Sequence, residues 1–317
     1  MRVFIVIPTL NEEHHIARVI AGLETFSLER NAPIIIADGG STDGTREIVR
    51  AISEQNSLVQ LLENPARLQS AAVNLAVETY GDGYDFVIRL DAHSEYPADY
   101  CDVLLEEAER TGAASVVTSM VAVGQGGAQK VIASAQNSPF GNGGSAHRNA
   151  SDGEWVGHGH HALMRVDAFR EVGGYDGTFS HNEDAELDYR LVQAGHKIWL
   201  TSRTKVLYHP RSTLQSLWRQ YFNFGRGRAR NVAKHRMRLA KRQLIVAALF
   251  PALLLALLVP VSPIFAFPLM LWLAGCFVAG VMISVGSGKA VDAAAGFVAG
   301  LMHAAWSAGF WYQRIIK

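Results

Sequence analysis

Two cysteines among 317 residues, Cys101 and Cys276, cannot build a disulfide framework or a cysteine metal centre. Such a chain suits a reducing compartment. Charge is missing too, but only in places. No Asp or Glu occurs between Arg203 and Val291, and no charged residue of either sign between Gln243 and Val285. A stretch of that kind has no polar face to offer water, which excludes a solvent-exposed amphipathic helix. The opening is not read as a secretory leader. Met1-Arg2 runs straight into Val3-Phe4-Ile5-Val6-Ile7, too short for a hydrophobic leader core, and Pro8 stops it. There is no internal repeat, and no low-complexity tract outside the apolar tail.

What is present is unevenly distributed. The formal net charge is zero, yet residues 1–202 hold 14 basic and 28 acidic side chains, and residues 203–242 hold 12 basic and none acidic. An acidic globular part followed by a basic band fits a protein seated on an anionic surface. Beyond the band come Leu244–Val259, a turn at Pro260-Val261-Ser262-Pro263, then apolar runs Ile264–Val285 and Ala293–Tyr312. About 20 residues cross a bilayer core. The second and third runs reach that length. The first is short and contains Pro251, so a tilted, re-entrant or interfacial course is expected. The positive-inside rule then puts the basic band, and everything before it, on the cytoplasmic face of the inner (plasma) membrane. Three spans would leave Arg314 and Lys317 outside, so two spans with an interfacial first run are favoured.

Three regions are therefore expected: a catalytic domain over 1–210, a basic interfacial segment over 211–242, and a membrane domain over 243–317. The band Leu217–Arg230 interleaves Trp218, Tyr221, Phe222 and Phe224 with arginines, a pattern suited to the headgroup zone. The same composition can bind nucleic acid, but the adjoining apolar runs argue for membrane lipids as partners and against nucleic acid.

Strand and helix patterns alternate through the first 120 residues, from Val3–Ile7 and Ile34–Ala37 to Tyr84–Leu90 and Ala114–Met120, with helical spacing between them. That alternation predicts an α/β sheet with mostly parallel strands. Ligands of such sheets bind at the carboxyl ends of the strands, where Thr9, Asn11, Asp38 and Asp91 fall. Residues 121–160 read as loops around Gly124, Gly126, Gly127, Gly141, Gly143 and Gly144, with a helix near Ala128–Ala135 between them.

Two clusters carry chemistry. Arg89-Leu90-Asp91-Ala92-His93 ends a strand-like run, and on an extended strand end residues i and i+2 point the same way, so Asp91 and His93 can share a divalent cation. Asn182-Glu183-Asp184 sets two carboxylates before a helix. A cation that neutralises a departing diphosphate, together with a carboxylate that deprotonates an attacking hydroxyl, is what transfer of a sugar from a nucleotide diphosphate requires. Asp38 ends a buried strand, where an unpaired carboxylate is costly and a ligand donor would relieve it. Ser41 or Thr42 is placed to cap the following helix, with Asp43 as a helix-start carboxylate. Gly157-His158-Gly159-His160-His161 has no zinc-protease spacing and reads as a site-lining loop.

Ile7-Pro8-Thr9-Leu10-Asn11-Glu12, Asp38-Gly39-Gly40-Ser41-Thr42-Asp43-Gly44-Thr45, Asp91-Ala92-His93 and Glu183-Asp184 occur in an order and spacing that resembles inverting nucleotide-sugar glycosyltransferases of family 2, with the GT-A fold. Asn64-Pro65, Arg89–Ser94 and Gln220-Tyr221-Phe222 are similar to the succinoglycan-biosynthesis subgroup of β-1,3-glucosyltransferases. The resemblance spans roughly residues 1–240.

It implies a hexosyltransferase moving glucose from a UDP-sugar donor to a polyprenyl-diphosphate-linked saccharide in exopolysaccharide biosynthesis. Asp184 would be the general base, with Glu183 supporting it. Pro8, Thr9, Glu12, Asp38, Arg67 and Asp91 would bind the donor. Asp91 and His93 would hold a divalent metal, with His209 as a candidate third ligand. His160, His161, Arg226 and Arg228 would face acceptor or diphosphate. The wider family uses Asp-x-Asp where His93 stands here. An imidazole suits Mn²⁺ better than Mg²⁺, so Mn²⁺ is favoured. The Gln-x-x-Arg-Trp string of processive synthases is missing, which argues against a processive polymerase. The alternatives are a polyprenyl-phosphate glycosyltransferase and, in another class, a non-catalytic membrane sugar-nucleotide sensor or scaffold.

Overall fold

The computed structural model describes residues 1–142 and 153–316; Gly143, Gly144 and Lys317 lie outside them. In chain order the elements are β1 (Val3–Thr9), α1 (Ile16–Arg30), β2 (Ile34–Asp38), α2 (Thr45–Gln55), β3 (Val59–Glu63), α3 (Gln69–Tyr80), β4 (Phe86–Arg89), α4 (Tyr100–Thr111), β5 (Ser115–Ala122), α5 (Gly127–Asn137) and α6 (Pro139–Asn142). Then come β6 (Glu154–Val156), β7 (His160–Arg165), α7 (Val166–Glu171), α8 (Glu183–Gln193), β8 (Ile198–Tyr208), α9 (Leu214–His235), α10 (Lys241–Leu254), α11 (Phe267–Ser287) and α12 (Ala295–Ile316). The described residues form two compact units, one of 1–121 with 153–208 and one of 122–142 with 209–316.

The first unit is built on a sheet of order β3-β2-β1-β4-β7-β5-β8-β6. Strands β3, β2, β1 and β4 run parallel, as expected, and β7 runs against both β4 and β5. Both faces of the parallel half are covered, which is why β1 and β2 read as unbroken apolar runs. Alternate residues of β1 separate accordingly. Val3, Ile5 and Ile7 pack with Ile16 and Val19 of α1 and Leu104 of α4, whereas Phe4 and Val6 pack with Val73 of α3 and Leu187 of α8. Strands β6 and β7 were not legible in the glycine- and histidine-rich sequence. Gly159 explains part of this: a Cβ there would stand 2.4 Å from Val117, so the chain enters β7 only as glycine.

The second unit differs from the expected boundaries. Residues 122–142 pack with the C-terminal helices, because Ile132 and Ala135 of α5 share a buried cluster with Leu217 of α9 and Ala299 and Met302 of α12. Helix α9, expected to lie in the headgroup zone, is closely packed against α12. A Cβ on Gly225 would stand 1.9 Å from the Trp306 carbonyl oxygen, and one on Gly309 1.9 Å from that of Phe222. Small residues thus let two backbones touch, as in helix pairs that associate in lipid.

Among the described residues three segments are long and apolar enough to cross a membrane: Lys241–Leu258, Pro263–Ser287 and Ala290–Ile316. Pro251, taken from the sequence as a mark against the first, is accommodated. Proline has no N–H to give the carbonyl four residues back. That carbonyl, of Ala247, instead accepts from Ser307 Oγ at 2.8 Å and Trp311 Nε1 at 2.7 Å, both on α12. Such re-satisfaction by a neighbouring helix is what makes proline tolerable in a spanning helix.

Gly309→Leu should force α9 and α12 apart and destabilise the protein by roughly 1–3 kcal/mol, as overpacking does. Thermal unfolding of the detergent-solubilised protein measures this; an unchanged midpoint would rule out the close crossing.

Candidate active site

The ends of β1 and β2 are tied to each other by side chains. Asn11, in the left-handed region at φ 57°, accepts from Thr42 N through Oδ1 (2.9 Å), and its own N–H donates to Ser41 Oγ (2.8 Å). Glu12 N donates to Thr45 Oγ1, Glu13 N to an Asp43 carboxylate oxygen, and Gly44 N to Glu13 Oε2. The two sequence motifs are therefore one latch. Neither Ser41 nor Thr42 caps α2: Gly44 stands at its N-cap, and the Oδ1 of Asp43 just before it accepts from Thr45 N and Oγ1.

Asp38 is not short of partners. Its carboxylate accepts from Gly40 N, Ser41 N and Ser41 Oγ, and Arg46 lies 3.6 Å away. Its burial therefore does not by itself call for a ligand donor, because the turn that follows satisfies the carboxylate. Arg67, itself at φ 57°, lies beside that turn, with its guanidinium about 3.5 Å from where a Cβ of Gly40 would be. Among the described residues of this region, Thr9 Oγ1 and Arg46 Nε are buried without a hydrogen bond.

Asp91 and His93 do not sit on an extended strand. β4 ends at Arg89. Beyond it Asp91 N donates to Tyr96 Oη (2.6 Å) and Ser94 N to the Asp91 carbonyl, so 91–94 is a turn. The i, i+2 argument therefore fails here. His93 Nδ1 stands 2.9 Å from Glu12 Oε1. Among the described residues no group of three His, Cys, Asp or Glu is disposed to hold a metal. Asp91 nonetheless has an oxygen to offer. Its Oδ1 accepts from Gln69 Nε2 at 2.7 Å, while Oδ2 receives no hydrogen bond from the described residues and has His160 Nε2 at 3.9 Å. One carboxylate oxygen left open in this way fits a cation whose other ligands come largely from a bound diphosphate and water.

Arg89, not singled out in the sequence, is the centre of the site. It is 5% exposed. Its Nη1 donates to Asp184 Oδ1 (2.7 Å) and Tyr175 Oη (3.0 Å), and its Nη2 lies 3.7 Å from Asp91 Oδ1. Asp184, in the first turn of α8, receives Tyr175 Oη on the same Oδ1 (3.0 Å) and has His161 Nδ1 at 3.3 Å. Burial by itself would raise the Asp184 pKa, but Arg89 and His161 hold the carboxyl well below the usual carboxylate range. Burial and the Asp184 charge push its neighbour Glu183 up instead. Tyr175 is held through its backbone, its N–H donating to Asn74 Oδ1 and its carbonyl accepting from Asn74 Nδ2, both at 2.8 Å.

The histidine motif divides two ways. His158 and His161 turn to Asp188, and His160 turns to Asp91. His161 has no exposed surface and both ring nitrogens engaged, so it acts on Asp184 rather than by touching acceptor or diphosphate. Arg226, Arg228 and His209 belong to the second unit. There Arg226 donates to Gln313 Oε1 and lies over the Tyr312 ring, and His209 Nδ1 meets the Val123 carbonyl. Sequence reasoning missed Arg89, Tyr175 and Asp188. For Arg89 and Asp188 the signal available was a charged residue within a strand or helix; Tyr175 lies in the loop before α8 and gave none.

Known proteins sharpen this picture. The profile described as "Glycosyl transferase family 2" matches residues 4–173. The chain is 52% identical to the succinoglycan biosynthesis protein ExoA of Rhizobium meliloti, covering 98% of this chain and 94% of that one. It is 29% identical to an N-acetylglucosaminyl-diphospho-decaprenol L-rhamnosyltransferase of Mycobacterium tuberculosis, over 65% of this chain and 75% of that one. Among solved structures, a mannosyltransferase from Pyrobaculum calidifontis in complex with GDP-Man and Mn²⁺ superposes with a TM-score of 0.64 at 16% identity, covering 100% of this chain and 88% of that one. At that identity it shows the shared fold.

Arg89→Met should remove the counter-charge shared by two half-buried carboxylates and destabilise the protein by roughly 2–4 kcal/mol. Adding Asp184→Asn should recover part of the loss. The sign with pH follows from the depressed Asp184 pKa: its contribution is fully present above about pH 4, the unfolded-state value, and is lost as pH falls through the lower folded value. Denaturant midpoints across pH measure both effects; an Arg89→Met variant as stable as wild type would remove Arg89 as the counter-charge.

Proposed function

The chain belongs to glycosyl transferase family 2, and from that premise we propose that it is an inverting enzyme that moves one hexose, glucose from UDP-glucose, to a polyprenyl-diphosphate-linked saccharide in exopolysaccharide assembly. One observation carries the reading. Asp91 and Asp184 are both pinned through Oδ1 around a buried Arg89, and neither Oδ2 receives a hydrogen bond from the described residues. The two side chains keep 15% and 19% exposure. Two oriented carboxylate oxygens, one for the donor side and one for the acceptor side, are what a single displacement needs.

In that displacement the acceptor hydroxyl gives its proton to Asp184 Oδ2 while its oxygen bonds to C1 of the sugar. The bond from C1 to the diphosphate oxygen breaks, and its electron pair leaves with the diphosphate. No covalent enzyme intermediate forms, and the configuration at C1 inverts. Glu183 supports Asp184 at the start of α8. Pro8, Thr9, Glu12, Asp38 and Arg67 bind the nucleotide, and the buried, unpartnered Thr9 Oγ1 supports a ligand donor there. Asp91 and His93 would hold a divalent cation, Mn²⁺ in preference to Mg²⁺, which when bound supplies positive charge against the leaving diphosphate.

The acceptor class rests on the subgroup resemblance, and the names of the two relatives above agree with it: one acts on a diphospho-decaprenol and the other takes part in succinoglycan biosynthesis. A lipid-linked acceptor also suits three membrane-length apolar helices preceded by a band of twelve basic residues without an acid. The tail is read as a membrane anchor, with the catalytic unit on the cytoplasmic face of the inner membrane. Arg226 and Arg228 on α9 are assigned to a donor or lipid diphosphate.

The test is transfer by the detergent-solubilised protein from a panel of UDP- and GDP-sugars, with Mn²⁺ or Mg²⁺ and native lipid extract. Turnover of UDP-glucose should require metal and stop on chelation. Asp91→Ala and Asp184→Asn should each lower it by roughly 10²–10⁴-fold. Turnover surviving Asp184→Asn would remove Asp184 as the base. Nucleotide binding without turnover of any donor would favour the sensor reading.

A further inference from the structure

Behind Asp184 lies a run of ionisable side chains that the displacement does not itself use. His161 Nε2 meets Asp188 Oδ1 at 2.6 Å, and its Nδ1 meets Tyr175 Oη at 2.6 Å and Asp184 Oδ1 at 3.3 Å. Asp188 Oδ2 faces His158 Nδ1 at 2.7 Å and accepts from Gly159 N at 3.1 Å. Asp184 and Asp188 are four residues apart on α8, so they project from one face of the helix, and His161 on β7 fits between them. Neither His161 nor Asp188 has any exposed surface. Burying an imidazole and a second carboxylate carries a desolvation penalty that well-packed apolar side chains would avoid. Stability of the core alone therefore gives no reason for them.

Resting on the reading of Asp184 as the base, we propose that His161 and Asp188 are positioning residues for it: the imidazolium, anchored from behind by Asp188, fixes Asp184 through Oδ1 so that Oδ2 alone meets the acceptor hydroxyl. Asp188 has a distinct task. When Asp184 takes the acceptor proton it becomes neutral. His161 would then be an uncompensated buried cation, were Asp188 not paired with it. With Asp188 present the imidazolium keeps its proton, and no proton moves along the run. The charged and titratable groups around His161 are Asp184 and Asp188 of α8, Tyr175 from the preceding loop and His160 beside it. Beyond these, Arg89 and Glu183 act on Asp184, and His158 acts on Asp188. Burial by itself would lower the His161 pKa, but the carboxylate of Asp188, with Tyr175 and Asp184, raises it well above the ordinary imidazole range.

The experiment is the pH profile of UDP release from UDP-glucose by the full-length solubilised enzyme with Mn²⁺ and native lipid extract. Wild type is compared with His161→Asn, Asp188→Asn and Asp184→Asn, and binding of UDP alone serves as the control for folding. In His161→Asn and Asp188→Asn, kcat should fall about 10- to 100-fold, less than on loss of the base, with the donor KM unchanged within about twofold. In both, the acid limb of kcat should move to higher pH, because the cation that holds Asp184 ionised is removed or loses its counter-ion. Asp188→Asn is close to isosteric, so it carries the test if His161→Asn does not bind UDP. Losses equal at every pH, with the limb unmoved and Asp184→Asn inactive, would overturn the inference and leave the base assignment standing. Full turnover in Asp184→Asn would overturn both.

Discussion

The buried guanidinium of Arg89 is the constraint on which the first unit depends. Placed at the end of a central strand, it contacts both carboxylates that the chemistry needs, Asp184 at 2.7 Å and Asp91 at 3.7 Å. A cation there lets two carboxylates stand close together inside a folded domain, where their mutual repulsion and their desolvation would otherwise protonate or expel one of them. Because Arg89 touches only the Oδ1 atoms, it also decides which oxygens remain for substrate. Tyr175, clamped by Asn74, and His161, backed by Asp188, complete the arrangement from the far side of Asp184.

This centre exists because of the sheet's topology. β4 delivers Arg89 and the Asp91 turn, and β7, inserted antiparallel between β4 and β5, delivers His160 and His161 beside them. α8 then brings its first turn, with Glu183 and Asp184, to the same place. The latch between the ends of β1 and β2 holds the neighbouring strand ends in register. In the second unit close packing plays the corresponding part. Glycines at the α9–α12 crossing bring backbones into contact, and a serine and a tryptophan of α12 take over the carbonyl that Pro251 leaves open.

Much of the fold was legible because its cause is local. Unbroken apolar runs in β1 and β2 record burial on both faces, and helical spacing between them records the covering layers. The apolar tail is legible from hydropathy alone. β6 and β7 were not, since glycines and histidines carry no periodic apolar signal; their strands are set by pairing with partners far away in the chain. The grouping of 122–142 with the C-terminal helices was likewise hidden. An amphipathic α5 states that it has a buried face, but not which element covers it.

For the site, the sequence by itself determined the chemical inventory: the motifs Ile7–Glu12, Asp38–Thr45, Asp91–His93 and Glu183-Asp184, and through their resemblance the family. Those are choices of residue type at fixed spacing, and they survive without coordinates. Only the tertiary structure decided how the inventory is wired. It turned Asp91 and His93 onto a turn instead of a strand, satisfied Asp38 within its own loop, and put Arg89, Tyr175, His161 and Asp188 around Asp184. The physical reason is that a carboxylate's role is fixed by the charges and donors within a few ångströms of it, and here those come from positions up to 95 residues away.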